Sequence, residues 1–270
     1  MNISIIIPLY YGANYVMDLI NMIRRNVLLL ESNIKVEIIF INDSPEQNVE
    51  ILSNSSNKDI TIELLVNDCN QGIHYSRVRG VEHATGKYIL FLDQDDYIED
   101  NYLMSQCKSI GDYDVIVSNG IAECKNFKKQ LYRYGWIHIT VKYIMFYVVF
   151  SCRIISPGQC LVKKEAIPQV WKEKILKNNG SDDYFLWLLL LTELATFTVN
   201  RDVLFVHKYT GINTSSNLEL MKLSDIEMLE NLNGILKKRI YHILEKRIRK
   251  KQNNIVIEIA TTIIEKMNHM

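Results

Sequence analysis

The feature that most constrains the fold of this chain is a series of short, continuously apolar segments in its first hundred residues. Four of them are predicted strands, at residues 3–10 (ISIIIPLY), 35–43, 59–68 and 87–93. The segments between them at residues 14–31 and 72–86 have apolar residues at helical spacing. Strands that are apolar at nearly every position are typical of parallel sheets covered on both faces. The sequence therefore predicts βαβ units and an α/β fold with a mainly parallel sheet flanked by helices.

The composition allows one large domain, or one domain with an appendage, over the 270 residues. With 48% hydrophobic and 23% charged residues, the chain can form a sizeable core. The formal net charge is +0, so no overall positive field indicates nucleic acid as a partner. The five cysteines are scattered and include no CxxC pair. Their pattern disfavours disulfides and a zinc site, and it favours a cytoplasmic protein.

Two apolar runs, at residues 143–150 and 184–191, are the longest in the chain. Both are well short of the roughly 20 residues that a membrane-spanning helix needs. We therefore expect both runs to be core segments. The first ten residues lack the basic start of a signal peptide.

Each of the four predicted strands ends in polar residues. They are Tyr10 at the end of the first strand, Asn42 to Ser44 at the second, Asn67 to Asn70 at the third, and Asp93 to Asp96 at the fourth. In parallel α/β sheets, ligands bind at the carboxyl ends of the strands. The sequence therefore predicts a polar pocket at this edge of the sheet.

The acidic stretch FLDQDDYIED, at residues 91–100, indicates what this pocket holds. Asp93 and Asp95 are separated by one residue on a predicted turn, so both carboxylates can face one ligand. Oxygen ligands of this kind suit Mn²⁺ or Mg²⁺, which binds through one or two carboxylates together with substrate phosphates. Arg77 and Arg79, on the preceding helix, are candidates to neutralise phosphate as well.

A second acidic pair, Asp182 and Asp183, follows Ser181 where a helix is predicted to start. Aspartate at such a position caps the helix by accepting backbone N–H groups. It could equally be a general base that faces the pocket. The residues leave both interpretations open, one for each aspartate.

The segment at residues 216–270 is predicted to be a helical extension. Its stretch 236–251 is strongly basic and carries an apolar stripe that includes Leu244 and Ile248. Such a helix can lie on an anionic membrane surface. Alternatively, its stripe packs on the catalytic domain or on a second subunit in a homodimer.

Six motifs, in this order, resemble those of the family 2 glycosyltransferases, which have the GT-A fold. The motifs are IIIPLYYGANYV, IIFINDSPEQ, NQGIHYSRVRG, YILFLDQDD, GSDDYFLWL and GINTS. The resemblance covers residues 1–215. It implies a catalytic domain with a nucleotide-sugar-binding half at residues 1–110 and an acceptor half at residues 111–215.

The resemblance also implies a role for each matching residue. Pro8, Tyr10 and Asp43 would bind the nucleotide base, Asn70 and Gln94 would belong to the donor site, Gly72 would let the backbone approach, and Arg77 would approach the phosphates. Asp93 and Asp95 would be the D-x-D pair at the ribose and the metal ion. Asp183 would be the catalytic base, with Asp182 in the place that glutamate usually holds.

The chain departs from the family pattern at several positions. Tyr11 replaces the usual asparagine, the loop after Asp43 lacks the second aspartate and the glycine, and Val78 replaces another asparagine. A family histidine that can touch the metal has two candidate equivalents, His207 and Tyr209. The residues do not decide between them.

The resulting prediction is an inverting glycosyltransferase that moves a sugar from a nucleotide sugar, expected to be UDP-linked, to a glycan hydroxyl in cell-surface polysaccharide synthesis. Some family members extend sugars on a lipid carrier at the cytoplasmic face of the membrane, which adds a lipid-linked acceptor to the expectation. A glycoprotein acceptor such as an adhesin is the alternative.

A non-catalytic nucleotide-binding GT-A module is disfavoured because Asp95 and Asp183 are both present. A nucleotidyltransferase is disfavoured because PLYYGANYV contains no lysine or arginine.

Overall fold

The computed structural model describes residues 2–50, 60–124, 127–209 and 217–253. Its strands are β1 (Asn2–Leu9), β2 (Lys35–Asn42), β3 (Ile60–Val66), β4 (Tyr88–Phe91), β5 (Tyr97–Ile98), β6 (Val115–Cys124), β7 (Phe127–Gln130), β8 (Cys160–Lys163) and β9 (Phe197–Lys208). Its α-helices are α1 (Val16–Leu28), α2 (Ile73–His83), α3 (Tyr102–Ile110), α4 (Gly135–Ile139), α5 (Ile144–Val149), α6 (Gln169–Glu173), α7 (Asp182–Thr192), α8 (Leu218–Leu232) and α9 (Lys238–Asn253). The motif GINTS and residues 254–270 lie outside the described residues.

The strands form one mixed sheet in the order β3-β2-β1-β4-β8-β6-β9-β5, with β7 paired to β6. The β3-β2-β1-β4 half is parallel, and β8 joins it to the second half through antiparallel pairs with β4 and β6. Strands β6 and β9 are again parallel. The predicted fold class is confirmed, and the four predicted strands are the whole parallel half.

The apolar strands form because the sheet is buried on both faces. In β1, Ile6 belongs to one core cluster, whereas Ile5 and Ile7 belong to the other. Helices α2, α7 and α9 cover the first face, and α1 and α3 cover the second. Successive side chains of a strand point to opposite faces of the sheet. A strand must therefore be apolar at nearly every position to contribute side chains to both core clusters.

Helix α2 lies unusually close to the sheet, and Gly80 permits this approach. A Cβ atom at Gly80 would lie 2.4 Å from Cγ2 of Ile6 and 3.1 Å from Cδ1 of Ile41. The close contact fixes the position of Arg77, which lies one turn earlier on the same helix. Backbone packing therefore determines where this arginine reaches the edge of the sheet.

The described part of the C-terminal extension packs on the rest of the chain through its apolar stripe. Leu244 and Ile248 on α9 are buried in the same core cluster as Trp187 of α7. The extension is not one continuous helix, because α8 ends before Gly234, whose φ is +80°. Of the two predicted alternatives for this helix, packing on the catalytic domain is therefore the one that the apolar stripe adopts. The basic face of α9 remains exposed.

The two long apolar runs have different surroundings. Residues 184–190 are buried throughout or nearly so, as predicted for a core segment. Within residues 143–150, Tyr147 and Val148 are buried, but Tyr143 and Phe150 are more than half exposed. The prediction of a core segment was therefore wrong for half of this run. Among the described residues, no helix is both long and apolar enough to span a membrane.

We predict that Gly80→Leu lowers the free energy of unfolding by about 2–3 kcal/mol, because the added side chain overpacks the contact with Ile6. Glu82→Leu is the matched control, since Glu82 is exposed on the same helix. We expect the control to change stability by less than about 0.5 kcal/mol. Urea denaturation measures both, and equal midpoints would contradict the close packing of α2.

Candidate active site

A cavity of about 600 Å³ opens at the carboxyl edge of the parallel strands. Its walls come from the ends of β1, β2 and β4, from the start of α7, and from the end of β9. The lining residues are Pro8, Leu9, Tyr10, Tyr15, Asp43, Asn70, Ile73, Arg77, Asp93, Gln94, Asp95, Ile155, Ser156, Pro157, Asn179, Gly180, Asp182, Asp183, His207 and Met221. The structure therefore brings together residues that are as far apart in sequence as Pro8 and Met221.

The first wall is built by the ends of β1 and β4. The side chain of Gln94 accepts the N–H of Tyr10 at 3.0 Å and donates to its carbonyl at 3.1 Å. This pair of hydrogen bonds makes Gln94 a substitute for a backbone partner beyond the end of the sheet. Tyr10 itself is half exposed at the cavity.

Asp43, at the end of β2, organises the loop that precedes α2. Its Oδ1 accepts Nδ2 of Asn67 at 2.6 Å and the N–H of Gln71 at 2.8 Å, and its Oδ2 accepts the N–H of Gly72 at 2.9 Å. Gly72 has φ +88°, a left-handed conformation that favours glycine. A Cβ there would lie 2.8 Å from Oδ1 of Asn179. Gly72 thus lies behind the cavity wall, whereas Asn70 lines it.

Arg77 is the electrostatic centre of the site. Its guanidinium is buried, with Nη1 2.6 Å from Oδ2 of Asp182 and Nη2 bonded to Oδ1 of Asp93. Burial alone would lower the pKa of Arg77, but the carboxylates of Asp182 and Asp93 raise it, so the side chain stays charged. One cation therefore links the acidic strand end to the acidic helix start.

Arg79 does not share this role. Its guanidinium donates to the carbonyl of Val66 at 2.8 Å and to the side chain of Asn67, and Arg79 is absent from the cavity lining. Because successive helix positions differ by about 100°, two arginines spaced by two cannot face the same site. The prediction that Arg79 neutralises phosphate in this pocket is therefore not supported by its position.

Asp182 and Asp183 are neighbours with opposite pKa shifts. Burial opposes ionisation of Asp182, but the Arg77 guanidinium holds its pKa below the usual value. Burial and the charge of Asp182 together raise the pKa of Asp183 to about 8. The position before α7 is occupied by Ser181, so neither aspartate is the cap residue. Asp183 instead accepts the N–H of Tyr184 at 2.6 Å and lines the cavity.

The start of α7 is held from two sides. The carbonyl of Asp182 accepts Nε1 of Trp171 at 2.9 Å. On the other side, Ser181 donates its N–H to Oγ of Ser224 at 2.9 Å and its hydroxyl to Oδ1 of Asp225 at 2.7 Å, and both partners lie on α8. The C-terminal extension therefore helps to position the two aspartates.

A second polar cluster lies at the acidic strand end and consists of Asp96, Ser156 and His207. The sequence analysis named His207 as a candidate but did not predict this cluster. Buried Asp96 accepts the hydroxyl of Ser156 at 2.8 Å and lies 2.8 Å from Nδ1 of His207. Burial alone would lower the pKa of His207, but Asp96 raises it. Of the two candidate histidine equivalents, His207 lines the cavity, whereas Tyr209 packs edge-on against it. The SPGQ turn carried no signal that Ser156 would reach Asp96.

The donor set at Asp93 and Asp95 fits Mn²⁺ or Mg²⁺ bound jointly with a substrate. Burial and the charge of Asp93 raise the pKa of Asp95, which is the repulsion that a divalent cation would offset. Among the residues that the structure describes, no three His, Cys, Asp or Glu side chains form a metal cage. These ions often bind through one or two carboxylates and complete their shell with water and phosphate oxygens.

The departure at Tyr11 falls at a left-handed backbone position. Tyr11 has φ +47°, in the left-handed region where asparagine is better tolerated than most residues. Its N–H is held by Oγ of Ser44 at 2.9 Å. The family pattern of asparagine at this position therefore matches a backbone conformation that this chain keeps with a different side chain.

A family model described as "Glycosyl transferase family 2" matches residues 4–171. An uncharacterized glycosyltransferase of Haemophilus influenzae is 29% identical over 227 residues, which cover 80% of this chain and 82% of the relative. The putative glycosyltransferase EpsH of Bacillus subtilis is 27% identical over 48% of this chain, and the match spans 36% of EpsH.

Solved structures share the fold at low identity. The S. aureus protein TarS, residues 1–349, superposes with TM-scores of 0.62 in complex with UDP and 0.64 in complex with UDP-GlcNAc, at 17% identity. The match covers 90% of this chain and 70% of that chain. The mannosyltransferase PcManGT of Pyrobaculum calidifontis, in complex with GDP-Man and Mn²⁺, superposes with a TM-score of 0.61 at 14% identity. That match covers 90% of this chain and 69% of PcManGT.

The family match covers more than half of the chain, and it includes the walls formed by β1, β2 and β4 and the first four of the six motifs. The chain therefore belongs to glycosyl transferase family 2 and is a glycosyltransferase with a GT-A fold.

Proposed function

We propose that this enzyme transfers a sugar from a UDP-linked donor to a hydroxyl group of a glycan acceptor, with inversion at the anomeric carbon. The observation that carries the proposal is the link through Arg77, which joins Asp93 of the D-x-D pair to Asp182 beside the candidate base. A carboxylate pair for a metal–diphosphate and a carboxylate with a raised pKa then line one cavity. That TarS binds UDP and UDP-GlcNAc supports a UDP-linked donor.

Asp183 is the proposed general base. A base works best when its pKa lies near the operating pH, and the pKa of Asp183 is raised to about 8. It accepts the proton of the acceptor hydroxyl as that oxygen attacks the anomeric carbon and the bond to the diphosphate breaks. Asp182 stays ionised beside Arg77 and keeps Asp183 basic by repulsion. A single displacement of this kind inverts the anomeric centre.

Asp93 and Asp95 would hold Mn²⁺ or Mg²⁺, a choice that the Mn²⁺ in PcManGT supports. A bound divalent ion supplies positive charge to the leaving diphosphate. We assign Pro8, Tyr10 and Asp43 to the nucleotide base, and Asn70, Gly72 and Gln94 to the donor loops. Arg77 completes the donor site by holding Asp93 in place.

We further propose that residues 1–110 provide most of the donor site and residues 111–215 most of the acceptor site. Ile155, Ser156 and Pro157 line the cavity beside the acidic strand end, where Ser156 bonds to Asp96, and this position supports an acceptor path along them. The acceptor class that we favour is a growing cell-surface polysaccharide at the cytoplasmic face of the membrane. A glycoprotein acceptor is compatible with the same chemistry and is distinguished by assaying both acceptor types.

We predict that the wild-type protein releases UDP slowly from one member of a panel of nucleotide sugars, and only with Mn²⁺ or Mg²⁺. Asp95→Asn should lower the rate of UDP release at least about 100-fold, because it removes one of the two carboxylates that would bind the ion. Asp68→Asn is the matched control, since Asp68 is an exposed aspartate that follows β3 in the same parallel half of the sheet but lies outside the cavity. Activity that persists in EDTA, or an equal loss in both variants, would contradict the metal assignment.

We predict that kcat/KM rises with pH and levels above about 8. The pKa of Asp183 is raised, so the side chain is protonated and inactive as a base below that pH and ionised above it. Asp183→Asn should lower kcat by about 10²–10⁴ and leave UDP affinity within about threefold, because the amide keeps the shape of the side chain. A flat profile between acidic and basic pH, or wild-type kcat in the variant, would exclude Asp183 as the base.

A further inference from the structure

Helix α5 carries an apolar surface that the described residues leave exposed. Met145 is 42% exposed, Val149 45% and Phe150 62%, and Tyr143 at the start of the helix is 54% exposed. Met145 and Val149 share a helix face, and the ring of Phe146 stacks on Phe150 at 5.9 Å between centroids. Contiguous apolar surface of this kind marks an interaction site more often than isolated exposed residues do.

Helix α9 presents a basic stripe along the same side of the molecule. It carries seven lysines and arginines against a single glutamate, in a chain whose formal net charge is +0. Arg239, Lys246 and Lys250 are exposed and fall on one side at helical spacing, with Ile243 between them. The opposite side of the helix buries Leu244 and Ile248.

The two surfaces meet at Arg247. This side chain lies at the border of the basic stripe, and its Nη1 donates to the carbonyl of Phe150 at 3.0 Å. Its Nη2 donates to the hydroxyl of Tyr184 at 2.7 Å, next to Asp183. The apolar end of α5 therefore lies directly beside the basic helix α9.

The segment that follows α5 leads to the mouth of the cavity. Five residues after Phe150, Ile155 is 44% exposed and lines the cavity beside Ser156 and Pro157. A flat partner that covers α5 and α9 would therefore lie at the side of the cavity that we assign to the acceptor.

We propose that the exposed residues of α5 and the basic stripe of α9 are a docking surface for an anionic lipid bilayer. Lysine and arginine beside exposed aromatic and aliphatic residues are the combination that binds anionic headgroups and the acyl boundary together. Nucleic acid would match the charge but not the exposed Met145, Val149 and Phe150. A second copy of this chain would meet the same positive charge on its own surface. The inference rests on the proposed function, since it gives a lipid-carried acceptor a route to the cavity.

The test is co-sedimentation of the full chain with vesicles of phosphatidylcholine alone or mixed with phosphatidylglycerol. We expect binding to the anionic vesicles only, and a loss of roughly 30-fold in Lys246→Glu/Lys250→Glu. The matched charge control is Lys87→Glu/Lys108→Glu, which alters two exposed lysines outside α5 and α9. It should keep binding within about twofold.

The apolar part is tested by Phe150→Ser, which we expect to weaken anionic vesicle binding by about tenfold. Leu28→Ser is its control, because Leu28 is 83% exposed on α1, at the other face of the sheet. UDP release without vesicles should be unchanged in the charge and control variants, which separates this test from that of the transferase activity.

Absence of binding to anionic vesicles would overturn the proposal, as would equal weakening by the charge variant and its control. Self-association that Lys246→Glu/Lys250→Glu abolishes, with no vesicle binding by the wild type, would assign the surface to a second copy of the chain instead. Equal binding to neutral and anionic vesicles would overturn the role of the basic stripe.

Discussion

The site depends on one buried cation. Arg77 is almost fully buried and bonds to Asp93 at the end of β4 and to Asp182 at the start of α7. Removal of one partner from a buried ion pair leaves an uncompensated charge, which costs about 3–5 kcal/mol in other proteins. The close packing of α2 at Gly80 brings this arginine to the sheet edge, so the backbone of one helix sets the geometry of both acidic groups.

The same cation separates the roles of two adjacent carboxylates. Asp182 is ionised because Arg77 lies 2.6 Å away, and its charge, together with burial, raises the pKa of Asp183. Two aspartates in sequence thus acquire opposite proton affinities from their surroundings alone. Such divergence of two pKa values is typical of acid–base sites.

The sequence predicted those features that depend on local pattern. The parallel half of the sheet follows from strands that are apolar at nearly every position, and the cavity follows from polar residues at their ends. It could not predict that Arg79 turns away, that Asp96 joins Ser156 and His207, or that Met221 of α8 reaches the cavity. Those contacts depend on how segments far apart in sequence pack. The exposed half of the run at residues 143–150 was missed for the same reason, since hydrophobicity alone does not say which face is covered.

We propose that the acidic edge of the sheet is a metal-dependent site for a nucleoside diphosphate. Calorimetric titration of UDP into the wild-type protein, with Mn²⁺ and then with EDTA, tests this most directly because it needs neither the sugar nor the acceptor. We predict a single site that binds UDP in the presence of Mn²⁺ and binds it at least about tenfold more weakly in EDTA. No binding in the presence of Mn²⁺, or equal binding in both conditions, would contradict it, and the cluster of Asp93, Asp95 and Arg77 would need another explanation.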